Sequence, residues 1–184
     1  MARTFDERGL FRDRADKDYF VSCLSRRLTE TGFRCYAWVL MDTHYHLLIK
    51  TTQLPLWKLM KPLGADYVRY FNKKYQRKGP LFADRYKSIA TQDQYYLEQL
   101  VRYIHLNPIR AGICSSLSDL RRYPWCGHAA LMGDVMRSFQ DTATVLRRFG
   151  KTTDTARKAY TAFLKEGLSN KDEPLSKIIK KAAK

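Results

Sequence analysis

Acidic side chains are scarce in this chain: 18 Asp and Glu stand against 34 Lys and Arg, for a formal charge of +16 over 184 residues. Such an excess fits either general basicity or a nucleic-acid groove, and the groove is the sharper expectation. The four cysteines, Cys23, Cys35, Cys114 and Cys126, show no C-x-x-C spacing. A zinc ribbon and a dithiol motif are thereby excluded, and free thiols in a reducing cytoplasm of bacterial type, beside the nucleoid, are expected. No run of about 18 apolar residues is present to span a bilayer, and no signal peptide is recognisable at the start. A Walker loop and an internal repeat are also missing. With 45% hydrophobic and 13% aromatic residues, the chain is nevertheless no disordered polyelectrolyte.

The charge is unevenly spread. Residues 50–87 hold ten basic side chains against Asp66 and Asp84. Within that stretch Lys73, Lys74, Arg77, Lys78, Arg85 and Lys87 are the candidate DNA contacts, although generic basic surface explains Arg85 and Lys87 nearly as well. Tyr67, Tyr70, Phe71, Tyr75, Phe82 and Tyr86 interleave with the cations, which suits a single strand whose bases stack while its phosphates pair. Most of those rings fall at helical spacing and are expected in the core. Residues 147–184 carry eleven basic and four acidic side chains, either a second nucleic-acid contact or a solvated tail.

Apolar periodicity predicts a helix over 17–31 with Phe20, Leu24 and Leu28 inward and Gly32 beyond its end. Strand formers at 33–40, a turn at Met41-Asp42-Thr43 and a strand from His44 to Thr51 make a hairpin. A helix follows over 56–75, with a kink or break expected at Pro62 and Gly64. Leu81 to Ala90 is expected to be a strand, 93–107 a helix stopped by Pro108, and 112–133 mainly loop. Two or three helices are expected within 134–168.

One constellation carries chemistry. His44 and His46 are two apart in a strand, so both imidazoles leave the same face and can converge on one ion. Tyr103 and Asn107 are one helical turn apart and share a stripe about 90° from the line of Leu97, Leu100, Val101 and Ile104. They therefore flank the core, held in place yet within reach of a ligand. Two imidazoles and an amide oxygen suit a divalent cation with open positions, Mg2+ or Mn2+, and the phenol supplies a nucleophile. Beside such charge the fitting substrate is a phosphodiester. Tyr96, two turns before Tyr103, is the second candidate nucleophile; His105 is expected to pack, and His128 has no spacing partner.

Three blocks resemble one family. Tyr36-Ala37-Trp38-Val39-Leu40-Met41-Asp42-Thr43-His44-Tyr45-His46-Leu47-Leu48, Gly79-Pro80-Leu81-Phe82-Ala83-Asp84-Arg85-Tyr86-Lys87 and Tyr103-Ile104-His105-Leu106-Asn107-Pro108-Ile109-Arg110-Ala111-Gly112 are similar to REP-associated tyrosine transposases, in the single-tyrosine branch of the His-hydrophobe-His (HUH) endonucleases. Tyr123-Pro124-Trp125 is similar to theirs too. The resemblance implies a transposase that cleaves and rejoins single-stranded DNA at hairpin-forming repeat ends through a 5′-phosphotyrosine. It puts the nucleophile at Tyr103 and the metal ligands at His44, His46 and Asn107. The alternatives are a catalytically inactive DNA- or RNA-hairpin-binding protein and a metal-dependent hydrolytic nuclease.

The fold implied is α+β: a ferredoxin-like antiparallel sheet with packed helices over 1–130, then a helical basic C-terminal extension over 131–184. Met1 to Glu7 is short, and Asp6, Glu7 and Arg8 suit a buried strand poorly. The first strand of that sheet is therefore expected to be absent or a stub, leaving backbone groups unpaired beside the histidine strand. No membrane is implied, and protein partners are left open.

Overall fold

The computed structural model describes residues 2–3, 9–90 and 96–169. Its centre is a hairpin of β2 (Arg34–Leu40) and β3 (His44–Lys50), antiparallel and paired from Arg34↔Lys50 to Leu40↔Tyr45, with a register shift between Cys35 and Ala37. A two-residue β1 (Ala2–Arg3) pairs with Tyr45 and His44 of β3, so the sheet order is β1-β3-β2. Among the described residues the first strand is these two positions, beside the histidine strand; residues 4–8, on which the expected stub turns, fall outside the described residues.

Each sheet face carries its own core. On one face lie α1 (Arg14–Thr31) and α2 (Trp57–Lys74). The Asp13 side chain accepts from Asp16 N to start α1, and Gly32 at φ 65° closes it with its N–H on Thr29 O. Phe20, Leu24 and Leu28 meet Leu59, Leu63, Tyr67 and Phe71 there, with Trp38, Leu40 and Tyr45 from the sheet. On the other face α3 (Leu97–Arg110) buries Val101 and Ile104 against Ala37, Val39 and Met41. Short helices α4 (Leu117–Arg122), α5 (His128–Met132) and α6 (Thr142–Leu146) and the long α7 (Thr153–Ser169) complete that second core through Leu120, Leu131, Val145, Tyr160 and Leu164. The architecture is α+β, an antiparallel sheet between helices with a helical C-terminal part.

Four local expectations are corrected. Helix α2 runs unbroken through Pro62 and Gly64. The proline costs about 3 kcal/mol, whereas each large apolar side chain buried on that face returns about 1.5–3 kcal/mol, and five of them lie there: Leu59, Met60, Leu63, Tyr67 and Phe71. Helix α3 passes Pro108 by two residues. The Ile104 carbonyl, which loses the N–H of residue 108, has Asn107 Nδ2 at 3.5 Å. Within 112–133 two short helices form, α4 capped by Ser116, whose hydroxyl accepts from Asp119 N at 3.1 Å.

Finally, 81–90 does not become a ladder strand; Phe82 alone makes a bridge. Among the described residues no ladder partner is present for it. Its charges at Asp84, Arg85 and Lys87 add no apolar face to hold it. Residues 93–95 of the expected helix and the basic end at 177–184 fall outside the described residues.

Candidate active site

Strand alternation sends His44 and His46 to the α3 face and Tyr45, between them, to the α1–α2 face, where it is fully enclosed. The two imidazole rings stand 5.1 Å apart, edge to face. His46 is buried, and burial, with His44 beside it, pulls its pKa down to about 3, so the ring is neutral and keeps a lone pair at physiological pH. The Thr43 hydroxyl engages His44 Nδ1 at 3.0 Å, which fixes the orientation of that ring.

Across from the strand, the Tyr103 ring meets His46 at 5.8 Å, again edge to face. Tyr103 and Asn107 are both half-buried, as their position beside the core stripe requires. The Asn107 amide donates from Nδ2 to Tyr103 O at 2.7 Å. Its Oδ1, the atom with lone pairs to offer a cation, is thereby turned away from the helix backbone. Tyr96, the second candidate, is the N-cap of α3 and half-buried; it is Tyr103 whose ring contacts the histidine pair.

Sequence reasoning gave no role to Arg110. Its guanidinium lies 5.5 Å from the Tyr103 ring centre, and Nη1 reaches Tyr103 O at 3.4 Å. The signal was present in the spacing, since positions seven apart on a helix return to one face. The turn that aims His44 is clamped just as locally. Asp42 O accepts from Leu10 N at 2.7 Å and Phe11 N at 3.0 Å, and Lys17 Nζ reaches Asp42 Oδ1 at 2.8 Å. Gly9, at φ 93°, passes so close that a Cβ would lie 2.9 Å from Asp42 O. Lys17 also donates to Tyr123 OH at 3.2 Å, and Tyr123 in turn donates to Leu40 O at 2.8 Å. Tyr123-Pro124-Trp125, distinctive in the sequence, is therefore the brace behind this turn.

The basic candidates divide. Lys73, Lys78, Arg85 and Lys87 are exposed. Lys74 is held by Asp13 at 2.7 Å and Asp16 at 2.7 Å, between the rings of Tyr70 and Tyr75. Arg77 is half-buried, 5.6 Å from the centre of the Phe71 ring.

His105 and His128, set aside in the sequence, meet in the second core. Both are buried, and Tyr160 OH stands 2.7 Å from His105 Nδ1 and 3.0 Å from His128 Nδ1. Burial drives both histidines below their ordinary pKa, His128 to about 4. Among the described residues no group of three or more His, Cys, Asp and Glu is placed to hold a metal. No helix among them is long and apolar enough to cross a membrane.

The family model of IS200-like transposases matches residues 1–107, a span that contains His44, His46, Tyr103 and Asn107 and more than half the chain. The chain belongs to that family, and with it to the DNA-processing enzymes of transposition and recombination, whose substrate is DNA. No curated protein and no solved structure matches it.

Proposed function

We propose that the chain nicks and rejoins single-stranded DNA at hairpin-forming repeat ends, as the REP-associated branch of the family does, with Tyr103 as nucleophile. The observation that carries this is the edge-to-face approach of Tyr103 to His46, which joins a helix-borne phenol to a strand-borne imidazole pair across the sheet. The Tyr103 oxygen attacks the scissile phosphorus, a P–O bond breaks, and the departing 3′ oxygen takes up a proton. A 5′-phosphotyrosine and a 3′-OH result, and one P–O bond replaces another, so religation needs no nucleotide cofactor.

The donor set, two imidazoles and the Asn107 carboxamide oxygen, suits a divalent cation with open positions. His44, His46 and Asn107 would hold Mg2+ or Mn2+, which polarises the phosphate and offsets developing charge when bound. Asn107 orients itself by donating to the backbone of Tyr103, and so couples ligand to nucleophile. Arg110 places positive charge against the ring whose oxygen becomes an anion during attack. Lys73, Lys78, Arg85 and Lys87 are exposed and offer phosphate contacts; Lys74 and Arg77 belong to the same group, and Lys74 also holds Asp13 and Asp16.

The test is a denaturing gel of protein incubated with end-labelled hairpin DNA carrying a single-stranded flank, with Mn2+. The wild type is expected to form a covalent adduct and Tyr103→Phe none, with hairpin binding kept within a few-fold. An adduct that persists in Tyr103→Phe moves the nucleophile to Tyr96. Cleavage without any adduct would indicate hydrolysis, and binding without cleavage an inactive hairpin binder.

A further inference from the structure

On the sheet face opposite the histidines, an open pocket of about 580 Å³ lies between the first half of α2 and the segment after Pro80. Its walls are aromatic: Trp57, which is 48% exposed, Phe82 and Tyr86, with Tyr45 at the floor. Cations stand at its rim. Lys61 and Arg85 line it together with one acid, Asp84, and Lys58 Nζ lies 4.7 Å from the centre of the Trp57 ring. Gly64 adds no side chain to the floor, and a Cβ there would meet only Phe82 Cε2, at an ordinary 3.7 Å. An apolar core does not explain this arrangement, because the tryptophan that could close the space is half in solvent.

Flat aromatic walls under a cationic rim fit one ligand chemistry: a planar base carried on a phosphate backbone. The volume falls within the range of small-ligand pockets. We propose that this pocket takes one unpaired base from the single-stranded flank of the DNA, stacked against Trp57, with Lys61 and Arg85 on its phosphates. The inference rests on the single-strand substrate proposed above. Tyr45 separates the pocket from His44 and His46 by the thickness of the sheet, so the base held here is not the scissile nucleotide. The pocket grips the flank while Tyr103 acts on the other face, which makes it a determinant of where the strand is cut.

The experiment is an abasic scan. Fluorescence anisotropy measures binding of the full chain to a hairpin whose flank lacks one base at a time, with intact duplex as control. Two variants accompany the wild type: Trp57→Ala, which removes a wall, and Gly64→Leu, which fills the space and raises helix propensity. Their thermal midpoints check the fold. In the wild type one abasic position is expected to weaken binding at least about five-fold, as loss of a stacked base does. That penalty is expected to vanish in both variants, whose affinity for the intact flank should already be lower by a similar factor. Flank binding should also quench tryptophan emission in the wild type and quench it less in Trp57→Ala. No sensitive position, or a penalty undiminished in both variants, overturns the pocket while leaving the adduct test standing. A wild type that holds the flanked hairpin no better than duplex overturns the single-strand substrate, and the pocket with it.

Discussion

Arg110 shows how much chemistry rests on single contacts here. In the proposed reaction its charge, 5.5 Å from the centre of the Tyr103 ring, adds to the electrostatics of attack. Arg110→Ala is therefore expected to slow adduct formation by about ten-fold or more, with Arg110→Lys restoring part of the rate, both read from a single-turnover time course. Binding of the hairpin should fall far less than the rate. Lys17 works at a different point. It is buried, and its ammonium ties the Asp42 turn to Tyr123. Lys17→Met removes donors from a turn whose other bonds remain, so a loss of about 1–3 kcal/mol in urea unfolding is expected.

At the scale of elements, α5 and α7 are fastened to α3 through Tyr160. One hydroxyl serves two buried imidazoles, donating to one and accepting from the other. Tyr160→Phe strands both nitrogens in the core, which should cost about 2–4 kcal/mol and lower the thermal midpoint by roughly 5–15 °C. The same rings make the fold acid-sensitive. An unfolded imidazole protonates near pH 6.5, whereas folded His128 stays neutral down to about 4, so between those values the unfolded state binds more protons. Stability is then level above about pH 6.5 and declines below it, His128 alone contributing about 2 kcal/mol of loss by pH 5. Urea midpoints at pH 7 and pH 5 measure this, and in His128→Gln the decline should be shallower.

Across the whole molecule, the +16 charge sets how strongly nucleic acid is held and how steeply salt weakens the grip. Lys73 and Lys78 are exposed near the end of α2, whereas Lys74 between them is consumed by Asp13 and Asp16. Reversing Lys73 and Lys78 to Glu is expected to flatten the slope of log affinity against log salt by about 0.7 per lost single-strand phosphate contact. Lys74→Glu should act differently, lowering stability because it sets a third carboxylate against Asp13 and Asp16. A slope untouched by the double reversal would put the phosphates elsewhere on the surface.

Much of this protein was legible from periodicity and spacing. The hairpin, the first helix, the stripe that leaves Tyr103 and Asn107 beside the core, and the shared face of His44 and His46 all depend on neighbours within about a turn or one strand pairing. Tertiary structure decided the rest. Whether Pro62 breaks α2 depends on the face that the helix buries. Which lysine is tied up by carboxylates depends on Asp13 and Asp16, some sixty residues away. The joining of His105 and His128 through Tyr160, and the pocket behind the histidine strand, unite residues far apart in the chain. Such meetings follow from how helices and sheet faces stack, and local pattern carries no record of it.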